Sequence, residues 1–318
     1  MARLLIGVTQ TPNDPPRPQW FDAVSVHPYR GGPPESVLVD YANLTALIGA
    51  HAPSDRGAVP ILSGEWGYST CVSPCWEAAA LRGAAVAGAL GGVSEATQAD
   101  YLVRRFLLDA IAGVAGSVWY DWHDDGSDPT SNEANFGTTR APYGNASSPY
   151  APKPSYTAAA ALAAWRAGYA FAGRVNQTGL PAPVSAYQYI AAFAPGGGRG
   201  APMPRYAVWA TFGGSQCVVD AASMQDCGYY GIDEKSCEAR GCCYQQPYVA
   251  GPQCFYHNGD VAVNMTFALP AAEHASCFNV ADEYGGSLAP VCANPDGTLT
   301  VPATPSPVFV SGYGASAT

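Results

Sequence analysis

The sequence is short of charge and above all of lysine: 13% of its 318 residues are charged, only Lys153 and Lys235 are lysines, and the formal net charge is −10. A surface with so few cations does not neutralise a phosphate backbone, so nucleic acid is not an expected partner. Long apolar runs are lacking too. Residues 83–93 form the longest, and its glycines and length leave it short of the roughly 18–20 residues that a spanning helix needs, so no membrane span is expected. The N-terminus has no secretory leader of the usual design, since the apolar stretch 4–8 is brief and Gln10 and Asn13 follow closely. Paired CxxC-like spacings are also missing from the cysteine-rich part, where Cys242 and Cys243 are adjacent, which suits a single tetrahedral zinc poorly. No metal or other cofactor is expected.

What is present is globular and carries the marks of an oxidising compartment. Hydrophobic residues make up 48% of the chain and aromatics 11%, enough for a packed core. The ten cysteines are even in number, and six of them fall between Cys217 and Cys254. Four glycosylation acceptors occur, at Asn43, Asn145, Asn176 and Asn264. Together these point to an extracellular or secretory location. The missing leader then leads us to expect that the true N-terminus lies upstream of Met1.

The first half alternates short apolar strands with helices, as parallel βα architectures do. Strands are expected at 4–8, 21–26, 59–63 and 117–121, a helix at 94–113 capped by Ser94, and a second helix from Lys153-Pro154 to about Phe171. Beyond residue 172 glycine and proline punctuate short alternating strands at 184–193, 206–212, 260–268, 298–302 and 308–311, the texture of a β-sandwich. The cysteine cluster falls between the second and third of these, so it is expected as an insertion into a sandwich hairpin. The expected domains are thus 1–172, a discontinuous sandwich at 173–216 and 257–318, and a compact module at 217–256.

Three strands end in polar and aromatic clusters: His27-Pro28-Tyr29, Gly64-Glu65-Trp66-Gly67 and Trp122-His123-Asp124-Asp125. Alternation places Ala23, Ser25, His27 and Tyr29 on one face, and Ile61, Ser63 and Glu65 on one face, each set growing more polar towards the strand end. Glu65 is the first candidate, because a carboxylate between Gly64 and Gly67 at the end of an apolar strand is costly without partners or a task. His27, Tyr29, Trp66 and Trp122 are the candidates around it.

The cysteine spacing, with Asp226-Cys227-Gly228 and Gly241-Cys242-Cys243-Tyr244, resembles the P-type, or trefoil, domain. That resemblance implies the bridges Cys217–Cys243, Cys227–Cys242 and Cys237–Cys254; sequence alone leaves 15 pairings of six cysteines open. Cys71–Cys75 and Cys277–Cys292 are expected for the rest. Met224, Gln245 and Gln253 depart from the residues the family commonly has for sugar binding, so a structural or spacing role is expected of the module. Its size demands the bridges, since so small a unit buries too little core to fold unaided.

The strand-end clusters, in their order, resemble clan A glycoside hydrolases of families near 5 and 39. The matching stretches are 21–30, 63–67, 119–122, 133–137 and 153–156. The fold this implies is α/β, the C-terminal part of a (β/α)8 TIM barrel followed by a β-sandwich. By the same resemblance Glu65 is the nucleophile of a retaining reaction, Tyr29 hydrogen-bonds it, His27 lines the sugar site, and Trp122 stacks on the sugar, with Trp66 beside them. A carbohydrate, a β-glycoside or polysaccharide, is the implied substrate. The family's acid is the glutamate of an Asn-Glu pair on the fourth strand, whereas the one such pair here, Asn132-Glu133, follows the last. Glu35, Glu77, Asp124 and Glu133 are the substitutes, and nothing in their spacing recommends any of them. Residues 1–172 also fall short of the roughly 250 that a barrel takes. We therefore expect a truncated glycosidase, inactive alone, with a complementing N-terminal half. A non-catalytic glycan-binding or matrix protein is the alternative.

Overall fold

The computed structural model describes residues 22–30, 32–51, 58–72, 75, 92–142, 148–176, 188–196, 203–211, 251–255 and 263–312, together with 226, 229, 232, 233, 236, 237, 243 and 244. The strand expected at 4–8 and all but the last two residues of the apolar run 83–93 lie outside them.

The N-terminal half is a parallel sheet backed by helices. Strand β1 (Val24–Val26), β2 (Ile61–Trp66) and β3 (Gly116–Trp119) lie side by side in that order, with helix α1 (Val37–His51) between the first two and α2 (Glu95–Ile111) between the last two. Ser94 caps α2, its hydroxyl accepting the Thr97 N–H at 3.0 Å. Leu102, Val103, Leu107 and Leu108 give α2 a buried stripe that meets Tyr41, Leu44 and Ile48 of α1 and Ile61 of β2. The opposite face of the sheet is open: Ser25 is exposed and Val118 is 55% exposed.

Helix α3 (Pro154–Arg166) starts with proline at its first position, where a missing N–H costs nothing. It ends at Arg166 rather than near Phe171. Gly168, at φ 77°, takes the left-handed turn that stops the helix, and β4 (Tyr169–Arg174) follows at once. The β-rich part therefore begins at Tyr169, before the boundary expected after residue 172.

Strands β5 (Gln188–Pro195), β6 (Arg205–Ala210), β7 (Cys243–Tyr244), β8 (Cys254–Phe255), β9 (Val263–Ala268), β10 (Cys277–Ala281), β11 (Ser287–Cys292), β12 (Thr298–Ala303) and β13 (Val308–Gly312) complete the chain. Six of the strands form a sheet in the order β11-β10-β13-β6-β5-β4, and β9 pairs with β12 in a ribbon. Alternation sorts the core: Tyr189, Ala191, Phe193, Ala207 and Trp209 join the cluster that holds the helices, whereas Ile190, Tyr206 and Val208 meet Met265, Phe267, Leu299 and Val301 of the ribbon. The cysteine module lies between β6 and β9, which are not paired, so it joins the two sheets instead of interrupting a hairpin. Cys71–Cys75, Cys237–Cys254 and Cys277–Cys292 are bridged, the last across directly paired residues of β10 and β11. Cys243 is disulfide-bonded as well; Cys217, Cys227 and Cys242 lie outside the described residues. So does Asn145, while Asn43, Asn176 and Asn264 are exposed.

Candidate active site

The strand ends of β1 and β2 bring Tyr29, His27 and Glu65 together. Tyr29 Oη donates to Glu65 Oε1 at 2.7 Å, and His27 Nδ1 lies 3.6 Å from Glu65 Oε2. The glutamate side chain keeps 38% of its surface exposed, so the group is open to solvent and to a ligand. Burial first, and then the bond to Glu65, push the Tyr29 phenol well above its ordinary pKa, so Tyr29 keeps its proton and stays a donor.

The face on which Glu65 sits is not set by simple alternation. Ser63 pairs with Ser117 and Trp66 with Trp119, so Gly64 and Glu65 together oppose Val118 in a bulge. Ile61 and Ser63 turn to the helices and are buried, while Gly64 and Glu65 turn to the open side. The expectation that Ile61, Ser63 and Glu65 share a face is corrected by that extra residue. Gly64 packs close to Ser25: a Cβ would stand 2.3 Å from Ser25 Oγ, so a larger residue here would have to turn that hydroxyl aside.

Trp66 is likewise corrected as a substrate contact. It is fully buried, with the rings of Phe106 and Trp119 each edge-on at 5.0 Å and the Arg105 guanidinium 4.9 Å from its ring. Its indole N–H donates to Ser117 Oγ at 2.9 Å. Arg105 Nε in turn donates to Asp109 Oδ1 at 2.8 Å, Nη2 to Tyr41 Oη at 2.7 Å and Ser63 Oγ at 3.1 Å, and Nη1 to the Pro28 carbonyl at 3.4 Å. This buried network locks β2 and β3 onto α2 directly behind Glu65.

Of the substitute acids, two are committed elsewhere. Glu35 receives both arms of buried Arg104 and the indole N–H of Trp209 at 3.0 Å, which ties the loop after Tyr29 to α2 and to β6. Asp124 accepts from buried Lys153 Nζ at 2.6 Å and from the Gly137 N–H at 3.0 Å. Glu77 lies outside the described residues. Glu133 is exposed and adds to the negative field on both Tyr29 and Tyr120.

Tyr120 and Phe136, which fall in the stretches 119–122 and 133–137 but are not among the candidates read from the sequence, stand beside Tyr29. The Phe136 ring stands edge-on to Tyr29 at 5.9 Å and to Tyr120 at 5.6 Å, and Tyr120 donates to Asp125 Oδ2 at 3.1 Å. Burial and that bond push Tyr120 up to about 12. Trp122, two residues on, has His123 and Tyr150 as its ring neighbours. Among the described residues no group of His, Cys, Asp and Glu could hold a metal ion, and no helix is long and apolar enough to cross a membrane.

Residues 217–257 match the Trefoil (P-type) domain family. Over this part the chain is 38% identical, across 47 residues, to a putative gastrointestinal growth factor, xP1, of Xenopus laevis, and 42% identical, across 41 residues, to trefoil factor 3 of Homo sapiens. These stretches are 15% and 13% of this chain and 60% and 51% of the relatives, so the match spans little more than half of each. Among solved structures, a family 39 glycoside hydrolase from the gut symbiont Bacteroides cellulosilyticus WH2 is similar with a TM-score of 0.54 and 18% identity. The likeness covers 92% of this chain and 44% of that one, and it establishes an α/β fold resembling a glycoside hydrolase with a β-rich C-terminal region.

Proposed function

We propose that this chain carries the nucleophile side of a retaining glycoside hydrolase, with Glu65 as nucleophile, Tyr29 as its hydrogen-bond partner and His27 beside the sugar. The observation that carries this reading is the 2.7 Å bond between Tyr29 and Glu65 at the C-terminal ends of two parallel strands, where barrel enzymes keep their chemistry. In the reaction a Glu65 oxygen bonds the anomeric carbon as the bond to the leaving oxygen breaks, and that oxygen takes a proton from an acid. Water then attacks the same carbon, giving its proton to the conjugate base of that acid and freeing Glu65.

A retaining pair needs its second carboxyl group about 5–5.5 Å from the first. Glu35 and Asp124 are held in ion pairs with Arg104 and Lys153, so neither is available for proton transfer. The open face of the three-stranded sheet, with Ser25 and Val118 exposed, supports completion by further strands that bring the acid. The secretory location is supported by the trefoil module and its bridges, a feature shared with the trefoil factors.

The test is an assay of the chain against aryl β-glycosides and β-glucans, alone and with a complementing segment that carries an Asn-Glu pair. We expect no turnover alone and turnover on complementation that Glu65→Gln abolishes. Turnover unaffected by Glu65→Gln overturns the reading.

A further inference from the structure

A cleft between α3 and the helix-side face of the six-stranded sheet has no part in the reading above. Its volume is about 410 Å³, and none of its lining residues belongs to the Glu65 group. That volume lies within the roughly 300–1,000 Å³ of small-molecule sites.

The cleft follows from the sequence of α3. Thr157, Ala160, Ala161 and Ala164 recur at one helical face and line one wall. One residue further on, Trp165 stacks on Phe309 of β13, with centroids 4.8 Å apart and planes 18° apart. This aromatic pair sets the spacing of helix and sheet, and the alanine methyl groups beside it are too short to fill that space. The turn at Gly285 borders the cleft next to Ala161, to which a Cβ on Gly285 would stand 3.6 Å away.

Strand register orders the floor. Ala281 of β10 pairs with Phe309, and Ser311 of β13 pairs with Arg205 of β6. Phe309 and Ser311 are two residues apart and so face the same side, which sets an apolar row beside a polar one.

Arg205 is held in place without being neutralised. It donates to the Trp165 carbonyl, and its guanidinium carbon lies 3.9 Å from the centre of the Tyr169 ring. Among the described residues no carboxylate pairs with it, although the chain has 25 acidic residues against 15 basic ones. The Trp165 indole N–H is buried and meets no acceptor among the described residues. Buried donors are ordinarily satisfied, so the polar end of the cleft is short of acceptors and of negative charge.

We propose that this cleft binds a small amphipathic carboxylate, with its apolar body between the α3 alanines and the Phe309 ring and its carboxylate on Arg205 and Ser311. The guanidinium fork takes both oxygens of a carboxylate, and the Ser311 hydroxyl adds a third donor. Stacking on Tyr169 holds the fork before the ligand arrives, which lowers the ordering cost of binding. Alanine and phenylalanine walls offer no partners to a ring of hydroxyls, so the cleft disfavours a free sugar. The proposal does not depend on the glycosidase reading.

The experiment is calorimetric titration of the full chain at neutral pH with 4-phenylbutyrate and with octanoate, each set against its neutral primary amide. Saturable 1:1 binding of at least one acid is expected, with Kd below about 1 mM and the amide at least about 10-fold weaker. Arg205→Gln is expected to weaken the acid at least about 10-fold and to leave the amide within about 2-fold. Ala164→Leu, at an exposed helix position, fills the cleft and is expected to weaken acid and amide alike by about 10-fold or more. The comparison of acid with amide uses the wild type, so it stands whatever Arg205→Gln does to folding. Equal binding of acid and amide overturns the proposal. So does the absence of saturable binding of either acid up to about 10 mM, or undiminished binding in Ala164→Leu, which places the probe elsewhere.

Discussion

Tyr29 and Glu65 meet across two strands: the phenol at the end of β1 donates to the carboxylate in the bulge that ends β2, at 2.7 Å. The bulge turns Glu65 to the open side, and the buried Trp66–Arg105–Asp109 network holds the strand from behind. The site is therefore a product of the helix-side core as much as of its own residues.

Gly67 is the tightest point of that arrangement. A Cβ there would lie 1.9 Å from the Tyr120 carbonyl oxygen, a backbone atom that cannot swing away. Gly67→Ala is expected to destabilise the protein by about 1–3 kcal/mol in chemical denaturation, the range for overpacking. Gly49→Ala, within α1 and with nothing inside 4 Å, is expected to stabilise by up to about 1 kcal/mol.

Arg105 holds the rear of the site with its side chain 1% exposed. Arg105→Met leaves Asp109 buried without its cation, for which we expect a loss of about 3–5 kcal/mol by urea unfolding. Replacing Asp109 by leucine as well is expected to restore part of that loss. Equal stability of Arg105→Met and wild type would contradict the assignment.

Glu283, in the turn between β10 and β11, gives a pH dependence away from the site. Burial, with Asp100 and Asp282 adding, raises its carboxyl from 4.5 to about 7. A raised folded-state value means that the group favours folding fully below about 4.5 and loses that contribution as pH rises through about 7. Glu283→Gln is therefore expected to raise Tm by about 2–4 °C at alkaline pH and to change it little in acid. Thermal melts at about pH 4 and pH 8 check this; an equal shift at both would contradict it.

Much of the candidate site was legible in the sequence. Polar clusters after apolar runs located the strand ends, Ser94 marked the start of α2, and the cysteine spacing marked the trefoil module. The rest was hidden for identifiable reasons. A bulge adds one residue, so a period of two does not place Ile61 and Ser63 relative to Glu65, and it hides that Trp66 is buried. Alanines run from α3 through Gly168 into β4, so only the left-handed glycine told helix from strand. Strand β11 is an exposed edge with no apolar alternation to reveal it. Phe136 and Tyr150 join the site region through contacts distant in sequence, which no local pattern records.

The most direct test of the account uses an activated 2-deoxy-2-fluoro-β-glycosyl fluoride. Fluoride leaves without a proton, so the labelling step depends on the nucleophile and not on the acid. Intact-mass and peptide analysis after incubation is expected to show one glycosyl unit on the peptide containing Glu65, absent in Glu65→Gln and slowed in Tyr29→Phe. Labelling of another carboxylate, or none with any such sugar, would contradict the assignment of Glu65 as nucleophile.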